Sequence, residues 1–125
     1  MIRGIGVDVV RISRFRKAMD RWQKRFLERI FSEEERAECR KWRDPAPHLA
    51  VKFAAKEAFS KAMGTGFGAA LSLRDIQVLH DPLGGPTFVV SEKARGQMKM
   101  RGIEKALLSL SHDADMGIAF VVMEG

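Results

Sequence analysis

The sequence predicts an α+β fold, with antiparallel β-hairpins and a long central helix, in one compact domain over residues 1–125. The first observation is the order of the segments: a strand, helices, a hairpin, a short helix and a second hairpin, which is typical of antiparallel sheets with separate helices. The second is the length, since 125 residues suit one domain. The third is that no linker, low-complexity tract or repeat divides the chain.

The composition favours a cytoplasmic protein with an anionic partner. The formal net charge is +6, which suits nucleic acid, an acidic protein or a phosphorylated small molecule. The single cysteine, Cys39, permits no internal disulfide, as expected in a reducing compartment. No apolar run approaches the ~20 residues that span a bilayer, so no membrane partner is predicted. The chain is short for an enzyme that builds a deep cleft alone, so an active site shared between subunits is expected.

Residues 2–10 are predicted to form the first strand, because apolar side chains alternate along it. One face carries apolar residues and the other carries two glycines and an acid: Ile5, Val7 and Val9 against Gly4, Gly6 and Asp8. The glycines leave space beside Asp8 for another group to approach closely. The alternative is that Asp8 only caps the helix that follows.

Ser13 is predicted as the N-cap of the first helix. Apolar residues at helical spacing are expected to face the core: Phe15, Met19, Trp22 and Phe26. A basic stripe lies on the adjacent face: Arg14, Lys17, Arg21 and Arg25, with Lys24 beside it. Such a stripe is either a solvated face or a docking surface for an acidic helix, because only Asp20 and Glu28 offset its charge.

Ser32 begins a second helix, since the glutamates that follow it form a capping box. This helix is expected to end near Arg43. The central helix is predicted to follow, with Asp44 as its N-cap, Pro45 at its first position and Gly64 just past its end.

The central helix carries a carboxylate and an amine side by side, because Glu57 and Lys61 are one turn apart. The opposite side is apolar, with Val51, Ala55, Ala58, Phe59 and Ala62. The Gly64-Thr65-Gly66 turn offers backbone N–H groups to an anion. The alternative is an ordinary surface ion pair, which stabilises a helix by roughly 0.2–0.5 kcal/mol.

The rest of the chain is predicted to form two hairpins with a short helix, capped by Ser91, between them. The first hairpin pairs residues 73–79 with 87–90, and the second pairs 105–111 with 117–123.

His112 is expected where the second hairpin turns. A histidine there is more often structural than functional, although binding residues concentrate at the ends of strands. Ser111, His112 and Asp113 are not interpreted as a catalytic triad, because adjacency in sequence is not triad geometry.

Three blocks of the sequence stand out together: GIGVDVVRISRF at 4–15, FAAKEAFSKAMGTG at 53–66 and LSLSHD at 108–113. They resemble the signature blocks of the holo-acyl-carrier-protein synthase family, the short type of 4'-phosphopantetheinyl transferase. The resemblance implies that family's fold, and transfer of 4'-phosphopantetheine from coenzyme A to a serine of apo-acyl carrier protein in fatty acid biosynthesis. It also implies a Mg²⁺ cofactor and a homotrimer with active sites at the subunit interfaces.

The resemblance further implies roles for individual residues. Asp8 and Glu57 match the family's metal ligands, and Lys61 matches its active-site lysine. His112 matches a histidine near the coenzyme's 3'-phosphate, supplied by the subunit across the interface. The residues that match the carrier-protein surface are Arg14, Met19, Arg21, Arg25 and Phe26.

The chemistry of these residues agrees with that activity. Mg²⁺ takes one or two protein carboxylates together with phosphate oxygens and water, and Asp8 and Glu57 would supply that pair. Lys61 can reach a phosphate oxygen, and Glu57 is the candidate base for the attacking serine. The candidate coenzyme A contacts are Lys52, Lys56, Lys61, Gly64, Thr65, Gly66, Gly84, Gly85, Pro86, Ser111 and His112.

A basic nucleic-acid-binding module is the alternative from another class, because the net charge is +6 and the first helix is basic. Against it, no predicted strand face carries an aromatic stacking platform, and Phe15, Trp22 and Phe26 are expected to face inward. No nucleic-acid partner is therefore predicted.

Overall fold

Five β-strands, four α-helices and one 3₁₀ helix make up the computed structural model, which describes all of residues 1–125. In chain order they are β1 (Ile2–Arg11), α1 (Ile12–Ile30), α2 (Glu33–Cys39), α3 (Ala46–Met63), the 3₁₀ helix (Leu73–Asp75), β2 (Ile76–His80), β3 (Pro86–Val90), α4 (Glu92–Met100), β4 (Lys105–Asp113) and β5 (Met116–Glu124). The predicted α+β class and order of segments are confirmed. None of the helices has a stretch long and apolar enough to cross a membrane.

The strands form two antiparallel sheets. The larger has the order β1-β5-β4, so the second predicted hairpin, β4 and β5, extends the sheet that β1 begins. The smaller is the β2-β3 hairpin. Asp8 lies opposite Ala119 and His112 lies opposite Gly117, two positions apart on β5. Asp8 and His112 therefore share one face of the larger sheet, on the strands that flank β5.

α3 packs across this inner face of the larger sheet, directly on the backbone of β1. A Cβ on Gly4 would lie 2.1 Å from the Ala62 carbonyl oxygen, and one on Gly6 would lie 2.0 Å from the Ala58 carbonyl oxygen. The space that the two glycines leave beside Asp8 is thus filled by the helix backbone.

The close approach of β1 to α3 gives a testable prediction for Gly6→Ala. The added methyl would overlap the Ala58 carbonyl oxygen, which cannot move without shifting the helix. We expect the free energy of unfolding to fall by about 1–3 kcal/mol, measured by urea denaturation. Gly68→Ala is the matched control, because a Cβ there would meet nothing within 4 Å. Equal stability of the two variants would contradict this packing.

α3 is buried on almost all sides. The sequence predicted an amphipathic central helix with one apolar and one polar side, and this prediction is wrong. Its far side is covered by α1, α2 and β2, so Lys52, Lys56 and Ser60 are buried together with the apolar residues. Lys61 is the one exposed residue of the helix, and Glu57 is half-buried.

α1 begins earlier than predicted and does not use Ser13 as its N-cap. Arg11 occupies the N-cap position, and Ser13 donates its N–H and hydroxyl to the Asp115 carboxylate at 2.8 and 2.6 Å. Asp115 lies in the β4-β5 turn, so this contact ties the start of the helix to the sheet. Trp22 is 58 % exposed rather than buried, because the backbone of Gln23 is not helical (φ 51°, ψ −139°) and α1 bends there.

Ser32 starts α2 with the predicted capping box, but α2 ends at Cys39 rather than near Arg43. The first residues of the predicted strand at 73–79 form the 3₁₀ helix instead. The Asp75 carboxylate accepts the Ser72 N–H at 2.8 Å and so caps that helical turn.

α3 begins at Ala46, with Pro45 in the N-cap position that was predicted for Asp44. The Asp44 carboxylate accepts the Ala46 N–H at 3.4 Å and is also held by Arg16, at 2.7 Å. Gly64 ends the helix as predicted, with a left-handed φ of 78°.

Candidate active site

Asp8, Glu57 and Lys61 meet where β1 crosses α3. Lys61 Nζ donates to Asp8 Oδ1 and to the Val7 carbonyl oxygen, each at 3.0 Å. Glu57 is one helical turn before Lys61 and lies near enough to Asp8 for the two carboxylates to repel. The close packing of the glycine face of β1 on α3 therefore brings together three residues that the sequence singled out.

The two carboxylates share a poorly solvated corner. Burial raises the pKa of Glu57, the Asp8 carboxylate raises it further, and Lys61 opposes both effects. The Asp8 side chain is only 18 % exposed, whereas that of Lys61 is 54 % exposed and can turn toward solvent. A cation beside the two acids would relieve their repulsion.

The donor set fits Mg²⁺ rather than a metal that needs a full cage of side chains. No group of three or more His, Cys, Asp or Glu side chains is placed to hold a metal. At this point the chain offers two carboxylates, Asp8 and Glu57. Mg²⁺ typically takes one or two carboxylates and keeps its other positions for phosphate oxygens and water. The arrangement is therefore suited to a metal that is shared with a phosphorylated ligand.

The Lys61 side of the site opens onto an exposed apolar face of the larger sheet. A shallow cavity of about 380 Å³ there is lined by Ile5, Gly6, Val7, Lys61 and Phe120. The outer face carries apolar side chains that are 41 to 63 % exposed: Ile5, Val7, Val9, Leu107, Ile118 and Phe120. An exposed patch of this kind is typical of a protein–protein interface.

Lys56, a predicted coenzyme A contact, lies in the core. Its ammonium donates to the Ile30 and Leu73 carbonyl oxygens at 2.6 and 3.1 Å and to the Glu35 carboxylate at 2.8 Å. Burial lowers the pKa of Lys56, and Glu35 opposes that shift. Because all three donors of the ammonium have internal partners, we leave Lys56 out of the proposed binding residues.

Lys52 and Gly84, two other predicted contacts, line a cavity of about 530 Å³ away from Lys61. The other lining residues are Glu38, Cys39, Lys41, Trp42, His48 and His80. The rings of Trp42 and His48 are stacked, with centroids 4.2 Å apart, and His112 meets His48 edge-on at 6.0 Å. The structure thus brings His112 to the rim of the cavity that Lys52 borders.

Sequence reasoning missed Glu38, Trp42, His48 and His80 around this cavity. No motif marks them, because they come from three separate stretches of the chain: the end of α2 and the residues after it, α3, and β2. Burial raises the pKa of Glu38, but hydrogen bonds from Lys52 and His80 outweigh burial and lower that pKa to about 2. Glu38 therefore stays charged and holds the Lys52 ammonium at 2.6 Å.

Ser111 and His112 lie within β4, which extends to Asp113 rather than ending at Ser111. Successive residues of a strand point to opposite faces. His112 consequently faces the inner side with His48, and Ser111 is on the outer, apolar side, opposite Ile118.

The Gly64-Thr65-Gly66 turn directs its N–H groups back to the Ser60 carbonyl oxygen, at 3.0, 3.3 and 3.5 Å. The groups predicted to meet an anion are therefore partly engaged within α3. The other predicted glycine turn, between β2 and β3, is held by Asp81, which accepts the Gly85 N–H at 2.9 Å just before Pro86 begins β3.

The residues predicted to contact the carrier protein all lie on α1, and they differ in how exposed they are. Arg14, Arg21 and Arg25 are exposed and form no ion pair. Met19 and Phe26 are half-buried.

Comparisons with known proteins agree with these features. The family model for the 4'-phosphopantetheinyl transferase superfamily matches residues 4–118. A holo-[acyl-carrier-protein] synthase from Syntrophotalea carbinolica is 47% identical over 99% of this chain and 97% of its own length. One from Syntrophus aciditrophicus is 42% identical over 100% of this chain and 98% of its own length. None of these matches supports the nucleic-acid-binding alternative.

Solved structures match the fold as well as the sequence. The crystal structure of holo-[acyl-carrier-protein] synthase from Neisseria meningitidis has a TM-score of 0.93 and 40% identity, with all of both chains covered. The Helicobacter pylori enzyme in complex with coenzyme A has a TM-score of 0.86 and 38% identity, and the match covers 96% of this chain and 99% of that one. The resemblance seen in the three sequence blocks is confirmed, and the chain belongs to the holo-[acyl-carrier-protein] synthase family of the 4'-phosphopantetheinyl transferase superfamily.

Proposed function

We propose that this protein transfers 4'-phosphopantetheine from coenzyme A to a serine of apo-acyl carrier protein and releases adenosine 3',5'-bisphosphate. The observation that carries the proposal is the convergence of Asp8, Glu57 and Lys61 in a chain whose relatives are named for this synthesis. The coenzyme A complex of the Helicobacter pylori relative supports coenzyme A as the donor. The reaction serves fatty acid biosynthesis in the cytoplasm.

The residues of the site divide the chemistry between them. The serine oxygen bonds to the β-phosphorus, and the bond from that phosphorus to the leaving adenosine bisphosphate breaks. Glu57 accepts the serine proton, as the half-buried carboxylate beside Asp8 and Lys61. Lys61 exchanges Asp8 for a phosphate oxygen and stabilises the charge that develops there. Asp8 and Glu57 would hold a Mg²⁺ ion, which would supply further neutralisation of the diphosphate.

The protein assembles as a homotrimer with each active site between two subunits. Support comes from the exposed apolar face, which an isolated chain leaves in water and which borders Lys61. A neighbouring subunit seated there contributes its Lys52, Gly84 and His112 to the adenosine end of coenzyme A, while Lys61 meets the diphosphate. The Trp42–His48 stack would give that end an aromatic wall.

The protein acceptor is acidic, and the arginines of α1 that lack an ion-pair partner support this. Charges at the rim of an interface speed association and select partners more than they add affinity. α1 therefore recognises the carrier protein, and the Asp8–Glu57 site performs the transfer.

Mass spectrometry of the acceptor tests this function directly. We expect apo-acyl carrier protein, incubated with the protein, coenzyme A and Mg²⁺, to gain the mass of one phosphopantetheine group. A carrier protein whose modified serine is replaced by alanine is the control and should gain nothing. An unchanged mass of the unaltered acceptor would refute the proposed activity.

A further inference from the structure

Glu38 places a negative charge on the wall of the cavity of about 530 Å³ that Lys52 and Trp42 also line. Its side chain is 22 % exposed, and its carboxylate stays charged. The proposed function gives this cavity to the adenosine end of coenzyme A, which is itself anionic. By charge alone, Glu38 would therefore weaken binding of that ligand. The hydrogen bonds of Glu38 indicate a different role.

The Glu38 carboxylate holds two other residues of the cavity wall. Lys52 Nζ donates to Glu38 Oε1 at 2.6 Å, and His80 Nδ1 lies 2.5 Å from the same oxygen. The His80 backbone N–H donates to the other oxygen, Oε2, at 3.0 Å. One carboxylate thus fixes a side chain of α3 and both the ring and the backbone of the last residue of β2.

The contact with Glu38 also determines the tautomer of His80. An ionised carboxylate only accepts hydrogen bonds, so the imidazole must carry its proton on Nδ1. Nε2 of the neutral ring is then a hydrogen-bond acceptor. The Lys52 ammonium already supplies the countercharge of Glu38, so the contact does not require a charged imidazole. The His80 side chain is 40 % exposed, which leaves Nε2 available to a ligand.

The same cavity offers one cationic donor and an uncharged aromatic surface. The Lys52 ammonium has three N–H groups, of which Glu38 and a carbonyl oxygen of β2 take two, so the third is free for a phosphate oxygen. The stacked rings of Trp42 and His48 are uncharged, because burial lowers the pKa of His48 and the neighbouring His112 lowers it further. Aromatic rings of this kind suit the planar base of a nucleotide.

We propose that Glu38 is a positioning residue that makes His80 select the adenine base of coenzyme A. Held by Glu38, His80 accepts a hydrogen bond at Nε2 from the exocyclic amine of adenine, while the base stacks on the Trp42–His48 pair. Hypoxanthine has a carbonyl oxygen in place of that amine, so it would set one acceptor against another. This inference rests on the proposed function, because it concerns the donor of that reaction.

Equilibrium binding of two nucleotides tests the role of His80. Adenosine 3',5'-bisphosphate and inosine 3',5'-bisphosphate differ in that amine, and calorimetry at pH 8 and one fixed protein concentration gives the Kd of each. We expect the wild type to bind the adenosine compound about tenfold more tightly. His80→Asn can still donate to Glu38 but has no Nε2, so its preference should fall below threefold. A wild-type preference below threefold, or one that His80→Asn leaves above threefold, would overturn the proposal.

Glu38→Gln distinguishes positioning from charge. If Glu38 acted only through its charge, the variant would bind the anionic nucleotide more tightly. Glutamine replaces one acceptor oxygen with a donor NH₂ group, so it cannot accept from all three donors of Lys52 and His80. We therefore expect about fivefold weaker binding of adenosine 3',5'-bisphosphate and a similar rise in the KM for coenzyme A, with kcat nearly unchanged.

Glu34→Gln is the matched control, because it makes the same change at an exposed glutamate of α2 and should leave binding unchanged. Binding by a folded Glu38→Gln variant that is tighter than wild type, or within twofold of it, would contradict the positioning role. The nucleotide titrations need no acceptor protein, so they are read separately from transfer. If the wild type transfers phosphopantetheine but binds both nucleotides equally, this inference fails and the proposed function stands; if it transfers nothing, the proposed function fails and this inference fails with it.

Discussion

Glu57→Gln is expected to lower kcat for phosphopantetheine transfer by about 10³-fold or more, because Glu57 is both the proposed base and a proposed metal ligand. Glutamine keeps the size of the side chain but carries no negative charge for Mg²⁺ and cannot take the serine proton. Wild-type activity should disappear with EDTA and return with added Mg²⁺. The variant should stay inactive at any Mg²⁺ concentration, measured as the initial rate of holo-carrier-protein formation.

The matched control for this experiment is Glu92→Gln, the same change at an exposed glutamate of α4. It should leave the rate unchanged. A Glu57→Gln variant whose kcat is within tenfold of wild type at saturating Mg²⁺ would remove Glu57 from the chemistry.

Lys56→Met is expected to lower the free energy of unfolding by about 3–5 kcal/mol, the largest stability effect that the structure indicates. Lys56 and Glu35 are both fully buried, with their charged atoms 2.8 Å apart. Methionine fills the space of the lysine stem but leaves the Glu35 carboxylate buried without its cation. Urea denaturation at a fixed protein concentration measures the loss, because assembly would make stability depend on concentration.

Two further variants distinguish the stability lost with the Lys56–Glu35 ion pair from the stability lost on replacing any lysine. Lys99→Met removes an exposed lysine of α4 and should change stability by less than about 0.5 kcal/mol. Adding Glu35→Gln to Lys56→Met should recover part of the loss, since no unpaired charge then stays buried. A Lys56→Met loss below about 1 kcal/mol would show that the buried pair does not hold α2 and α3 together.

The Glu57–Lys61 half of the candidate site could be predicted because its spacing is local, whereas its pairing with Asp8 was implied by the family resemblance. Glu57 and Lys61 are one helical turn apart, and alternation along β1 sets Asp8 on the face of Gly4 and Gly6. The structure added the reason why they meet, which is that the glycines let β1 lie directly on the backbone of α3.

The burial of Lys52 and Lys56 could not be predicted from the sequence. Lysines at helical spacing normally mark a solvated face. Here α2 supplies an acid to each of them, Glu38 to Lys52 and Glu35 to Lys56. No local sequence pattern predicts these ion pairs.

The bend in α1 was also beyond sequence reasoning. Gln23 has good helix propensity, and no glycine or proline marks a break, so the sequence predicts one continuous helix through it. The packing of Phe15 on Phe26 favours the bend of α1 at Gln23. These two residues would lie far apart on a straight helix. The exposure of Trp22 follows from it.

A crystal structure with coenzyme A and Mn²⁺ in place of Mg²⁺ would show whether Asp8 and Glu57 hold one metal ion against the diphosphate. The anomalous signal of the ion should lie about 2.1 Å from an oxygen of Asp8, an oxygen of Glu57 and an oxygen of the coenzyme diphosphate. An ion that contacts only one of the two carboxylates, or a diphosphate bound away from both, would show that Asp8 and Glu57 do not form the proposed metal site.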